Sequence, residues 1–107
     1  MKDKLVVSEL AGINEPPLIE KTIGKYFDET VAEYPDALAL VSRHQGVRWT
    51  YRELQLQVDA LAAGLLNLGI EPGDRVGIWA PNCYEWVLTQ FATARMGAIL
   101  VCLNPAY

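Results

Sequence analysis

Ala98-Ile99-Leu100-Val101-Cys102-Leu103 is an unbroken apolar run between Gly97 and Asn104-Pro105. A strand with one face in water alternates polar and apolar side chains. A continuous apolar run bounded by turn residues reads instead as a parallel strand covered on both faces. Parallel strands need long crossover connections, usually helical, and the residues upstream supply one. Arg75-Val76-Gly77-Ile78-Trp79 reads as a strand that Pro81-Asn82 breaks. Asn82 is placed to cap a helix with Tyr84, Val87, Leu88, Phe91 and Ala94 facing inward, and Gly97 stops that helix.

The same alternation extends toward the N-terminus. Thr50-Tyr51-Arg52-Glu53 has the spacing of a capping box, in which the threonine hydroxyl and the glutamate carboxylate each satisfy a free backbone N–H. The helix that follows carries Leu54, Val58, Leu61, Leu65 and Leu68 on one face, and Gly69 ends it. Glu71-Pro72-Gly73-Asp74 then turns the chain into the strand at Arg75. Residues 37–50 read as a hairpin, Ala37–Ser42 against Val47–Trp49, with His44-Gln45-Gly46 at its turn. Before it, Ile23, Tyr26, Phe27, Val31 and Tyr34 recur at helical spacing between a Thr22 cap and Pro35. Residues 1–21 have no stable period, contain Asn14-Glu15-Pro16-Pro17, and read as an extended leader. The expected class is α/β: a layered βαβαβ run with a mostly parallel sheet and right-handed crossovers, plus an N-terminal helix and a β-hairpin.

Composition removes several functions. Acidic residues outnumber basic ones 13 to 9, for a net charge of −4, so the basic footprint that nucleic-acid binding requires is lacking. No apolar stretch approaches the roughly 20 residues of a membrane-spanning helix. The start, Met1 to Gly12, is too charged for a signal peptide and has no arginine for a transit peptide. Cys83 and Cys102 are far apart and form no CxxC, which suits reduced thiols and a cytoplasmic location. A single histidine with no clustered cysteines leaves no zinc site.

A search for chemistry finds no complete constellation. The glycines are scattered as punctuation, and neither GxGxxG nor GxxxxGK[ST] occurs; Gly73-Asp74-Arg75-Val76-Gly77 precedes a strand rather than a helix, so it cannot cradle an anion. His44 reads as a solvated turn residue with no nucleophile beside it. Ser8 and Ser42 lack a nucleophile-elbow context. Cys83 near a helix start reads as a small packing residue and Cys102 as core. Asp28, Glu29 and Glu33 read as a solvated helix face. Trp49, Trp79 and Trp86 read as packing against the sheet rather than as a stacking platform.

Three stretches taken in order say more. They are Thr50-Tyr51-Arg52-Glu53-Leu54, then Gly69 through Val76 running to Ala80-Pro81-Asn82, then Ala94-Arg95-Met96-Gly97-Ala98 running to Leu103-Asn104-Pro105. Over residues 22–107 the chain resembles the N-terminal portion of the acyl-adenylate-forming (AMP-binding) superfamily. Trp79-Ala80-Pro81-Asn82, Tyr84-Glu85-Trp86-Val87-Leu88 and the ending Leu103–Tyr107 look most like the medium-chain fatty acyl-CoA synthetases. Cys102 departs from the proline, serine or asparagine often found there. The resemblance implies a two-step reaction in which a carboxylate and ATP give acyl-AMP and coenzyme A then displaces AMP, with Mg2+ accompanying the ATP. In that family the phosphate loop, the adenine- and ribose-binding residues and the catalytic lysine lie downstream of the matched region.

No catalytic, cofactor-binding or metal-ligating residue is therefore assigned in this chain. The expectation is an N-terminal segment of a fatty acid–CoA ligase, with 22–107 part of its large domain, inactive and binding no cofactor alone. Its partner is the remainder of that enzyme, and an uncovered sheet edge predicts self-association of the 107 residues by themselves. Two other classes fit the same residues: a free-standing interaction domain pairing with another chain, and a non-catalytic module binding an acyl or adenylate ligand.

Overall fold

The computed structural model describes residues 8–13 and 15–107. The leader reading for residues 1–7 and 14 lies outside the described residues; residues 8–13 and 15–22 carry neither helix nor strand. Helix α1 (Ile23–Glu33) begins where the Lys25 N–H donates to the Thr22 hydroxyl (3.2 Å), and it ends at Tyr34 ahead of Pro35. Strands β1 (Leu38–Ser42) and β2 (Val47–Thr50) pair antiparallel around a single 3-10 turn, Arg43–Gln45. Helix α2 (Tyr51–Asn67) opens on the capping box: Glu53 N–H donates to Thr50 Oγ1 (3.2 Å) and Thr50 N–H donates to Glu53 Oε1 (3.0 Å). Then β3 (Arg75–Trp79), α3 (Tyr84–Met96) and β4 (Ile99–Leu103) form one βαβ unit, with β3 and β4 parallel from Arg75 opposite Ile99 to Trp79 opposite Leu103.

The core lies among the three helices. Phe27 and Val31 of α1, Leu54, Val58 and Ala62 of α2, and Leu88 and Ala92 of α3 are buried together. Phe27 stacks on Phe91 with ring centroids 4.6 Å apart. Gly97 sits at φ 81, in the left-handed region, so α3 can stop and β4 can begin two residues later, at Ile99.

The α/β class holds, and its details differ from the sequence reading in four ways. The hairpin and the β3–β4 pair are separate two-stranded sheets, so parallel pairing among the described residues is confined to β3 and β4. The reason is local: β2 already pairs with β1 and runs directly into the Thr50 cap of α2. Second, β4 is covered on one face only, and Ile99, Val101, Cys102 and Leu103 are exposed. Third, the apolar faces of α1 and α2 are narrower than expected, with Ile23, Tyr26, Tyr34 and Leu68 exposed. Helix α1 meets α3 along the thin stripe Gly24-Phe27-Val31, where a Cβ on Gly24 would lie 3.4 Å from the Arg95 Cα. Fourth, the N-cap of α3 is Cys83 rather than Asn82, and no side chain of its own helix caps it.

Candidate functional site

Chemistry-bearing side chains gather in three places. The first is Arg95, in the last turn of α3, whose guanidinium reaches toward α1 and α2. Its Nη1 donates to Asp28 Oδ2 at 2.9 Å and its Nη2 donates to Asp28 Oδ1, a bidentate fork. Gln55 Nε2 donates to the same Asp28 Oδ1 at 3.0 Å. Arg95 Nε lies 2.8 Å from Asp59 Oδ1 but makes no hydrogen bond, so that contact is purely ionic. The fork from Arg95 holds the Asp28 carboxyl below its ordinary range, against the opposing effect of partial burial, and Gln55 adds to the lowering. Asp28 in turn raises Arg95. Asp28 is thus a strut joining three helices, not a member of a solvated face. Glu29 does stay near solvent, paired with Lys21 at 2.6 Å.

The second place is the junction of the hairpin with α3. Gln45 Oε1 accepts from the Tyr84 N–H (2.8 Å) and from the buried Ser42 hydroxyl (2.6 Å), while Gln45 Nε2 donates to Glu85 Oε1 (2.7 Å). Cys83 offers α3 no side-chain oxygen, so the hairpin supplies the cap from across the fold. Gln45 holds the Glu85 carboxyl below the usual carboxylate range. Beside this junction an open recess of about 260 Å³ is lined by Ser42, Arg43, His44, Asn82, Cys83 and Tyr84. His44 is exposed on the turn, and Cys83 is half-buried.

The third place is an open apolar groove of about 380 Å³ between α1 and the ends of its neighbours, where Tyr26, Phe27, Tyr51 and Phe91 meet Ile19 and Ile23. The tryptophans divide. Trp49 packs edge-on against Tyr84 at 5.2 Å, and Trp86 is half-buried with its indole donating to the Ala80 carbonyl (2.9 Å). Trp79 is 63% exposed, with its indole on the Asn104 carbonyl (3.1 Å). Ser8 is exposed and Glu33 is exposed.

These clusters join elements; none has the make-up of a phosphate or metal site. Among the described residues no three His, Cys, Asp or Glu side chains come together as metal ligands. A helix N-terminus is the commonest backbone anion site. All three here are occupied by the chain's own oxygens: Thr22 on α1, Thr50 with Glu53 on α2, Gln45 on α3. On α2 and α3 a first-turn carboxylate, Glu53 or Glu85, also stands where a phosphate would come. Gln45, Asp59 and the Arg95–Asp28 fork join elements that are far apart in the sequence. Spacing gives no signal for them, since Asn82 already reads as a local cap for α3 and Gln45 meets the Tyr84 N–H only across the fold.

Residues 27–107 match the model of the family described as AMP-binding enzyme. The medium-chain acyl-CoA ligase ACSF2, mitochondrial, of Danio rerio is 48% identical over 103 residues, which are 96% of this chain and 17% of that protein. A putative acyl-CoA synthetase, YngI, of Bacillus subtilis is 43% identical over 84% of this chain and 16% of its own length. Among solved structures, a fatty acyl CoA synthetase of Mycobacterium tuberculosis superposes with a TM-score of 0.77 at 30% identity, covering 80% of this chain and 17% of that one. The N-terminal subdomain of NpsA from Klebsiella oxytoca gives a TM-score of 0.76 at 34% identity, over 81% of this chain and 22% of that one. The chain thus spans about a sixth of the length of the curated relatives it matches.

Proposed function

Because the chain belongs to the AMP-binding enzyme family, we propose that it is the N-terminal segment of an ATP-dependent fatty acid–CoA ligase. The whole enzyme joins a carboxylate to AMP with loss of pyrophosphate, then exchanges AMP for coenzyme A. ATP, Mg2+ and coenzyme A belong to that whole enzyme. The described residues do not fit them, because the N-termini of α1, α2 and α3 are capped from within and no carboxylate cluster among the described residues suits a divalent ion. The segment's part is mechanical: it is a three-helix core with a hairpin and a parallel strand pair, on which the remainder of the enzyme is built.

The observation that carries this reading is the identity of 48% to an acyl-CoA ligase across 96% of this chain. The same reading carries self-association of the 107 residues alone, through the free edges of β3 and β4. Two unpaired cysteines, Cys83 and Cys102, support a separate proposal of a cytoplasmic location.

The test is carboxylate-dependent exchange of labelled pyrophosphate into ATP, run on the 107-residue chain and on the longest polypeptide in the source cells that carries this N-terminus. Exchange by the long species alone is expected. Turnover by the 107 residues would remove their assignment as inactive, and a long species that leaves ATP intact with every fatty acid would remove the ligase reading.

A further inference from the structure

We propose that the outer face and turn of the β1–β2 hairpin are a contact surface for an anionic lipid bilayer. Residues 37–52 carry three of the chain's nine basic residues and none of its 13 acidic ones. Strand pairing sets the faces. Leu40 opposite Trp49 packs against the core, so Val41 opposite Arg48 points away from it, and both are exposed. Leu38, opposite Thr50, is exposed at the far end, and Arg43 and His44 are exposed on the turn. Arg43 and Arg48 make no ion pair among the described residues. The acids that flank the hairpin in sequence are engaged elsewhere: Asp36 lies 3.5 Å from Arg52, and Glu53 caps α2. Glu85, on α3 beside His44, accepts from Gln45. A small cationic and apolar face is thus set into a chain whose net charge is −4.

The size of the face and its chemistry select the partner. Two strands of five and four residues offer roughly 17 by 10 Å, well short of the ~800 Å² per partner of a stable protein interface. A bilayer asks for no shape complementarity. Arginine stems reach lipid phosphates while apolar side chains such as Leu38 and Val41 enter the headgroup boundary. Fatty acids partition into bilayers through the same burial of apolar surface. On the ligase reading above, this contact therefore holds the enzyme where its substrate is concentrated. The contact itself does not depend on that reading.

The test is cosedimentation of the long polypeptide carrying this N-terminus with vesicles of phosphatidylcholine alone and of equal parts phosphatidylcholine and phosphatidylserine. Binding to the anionic vesicles only, weakening as salt rises, is expected. Arg43→Gln and Arg48→Gln should each weaken it about fivefold, the equivalent of about 1 kcal/mol per basic residue at an anionic surface. Lys25→Gln, an equal loss of charge on α1, should leave binding unchanged, and all three variants should keep the parent's melting temperature. Equal binding to both vesicles, or none, overturns the proposal, as does unchanged binding by both arginine variants. An equal loss with Lys25→Gln would mean diffuse attraction and overturn it too. Binding to polyglutamate as tight as to the anionic vesicles would assign the face to an acidic polypeptide instead. A vesicle-bound polypeptide that leaves ATP intact with every fatty acid removes the ligase reading alone. One that turns over and ignores vesicles removes the contact alone.

Discussion

Arg95→Met tests whether the three helices are fastened by charge as well as by their apolar core. The substitution keeps most of the apolar stem and removes the fork to Asp28 and the ion pair to Asp59. Breaking a fully buried pair costs about 3–5 kcal/mol, and an exposed pair is worth about 0–1 kcal/mol. The Arg95 side chain is 26% exposed, Asp28 41% and Asp59 52%, so water screens much of the attraction and the discount is substantial. The expected loss is about 2 kcal/mol, nearer the exposed limit than the buried one. For a domain of this size that lowers the melting temperature by roughly 8–16 °C.

The assay is thermal unfolding by circular dichroism at low micromolar concentration, at neutral pH, on the four members of the cycle made by Arg95→Met and Asp28→Asn. A coupling energy of about 1 kcal/mol or more is expected, and one below about 0.3 kcal/mol would refute the strut. The pH dependence supplies a second arm. The folded-state pKa of Asp28 is lowered from 3.8, so its contribution is fully present above that value and is lost as pH falls through the lower, folded-state pKa. The parent chain should therefore lose in strong acid a stabilising contribution that Arg95→Met already lacks, and the two stability curves should converge there. Curves that stay parallel would show that the fork is not the source.

Thr50→Ala removes one half of the capping box and should cost about 0.5–2 kcal/mol, read as a lower urea midpoint with an unchanged slope. An unchanged midpoint would contradict the cap. Gln45→Leu removes the acceptor shared by Tyr84 N–H and the Ser42 hydroxyl, and should cost about 1–3 kcal/mol because buried groups lose their partner. Restoring a local cap with Cys83→Ser or Cys83→Asp should recover about half to all of a typical 1 kcal/mol cap in that background while adding little to the parent chain. Equal gains in both backgrounds would mean that Gln45 does not cap α3.

Local signals survived translation into structure where one residue decides them. Thr22, Thr50 with Glu53, and Gly97 each act on backbone groups within three or four residues, so spacing alone is informative. The cap of α3 failed that test because it comes from Gln45, 38 residues before Cys83 in the sequence and a neighbour only once the hairpin has docked. Asp28 failed for the same reason. Its charge reads as solvated on α1 alone, and the fork appears only when Gly24 lets α1 approach the end of α3. The resemblance over residues 22–107 was legible from three ordered stretches. Within the described residues those stretches cap α2, turn the chain into β3 and end α3.

The apolar run at residues 98–103 shows what a hydrophobic pattern does and does not report. Its composition is that of a strand covered on both sides, yet within residues 8–107 β4 receives α3 on one side and water on the other. Side-chain chemistry reflects the environment a segment occupies in its working state, whatever part of the polypeptide supplies that environment. The half-buried strands and the buried helices make the contrast sharp: every member of the principal core comes from α1, α2 or α3, and of the β3–β4 pair only Ile78 is buried. The helices bury one shared stripe against each other while Ile23, Tyr26, Leu56 and Leu66 stay exposed, and β4 leaves Ile99, Val101 and Leu103 in water within the described residues.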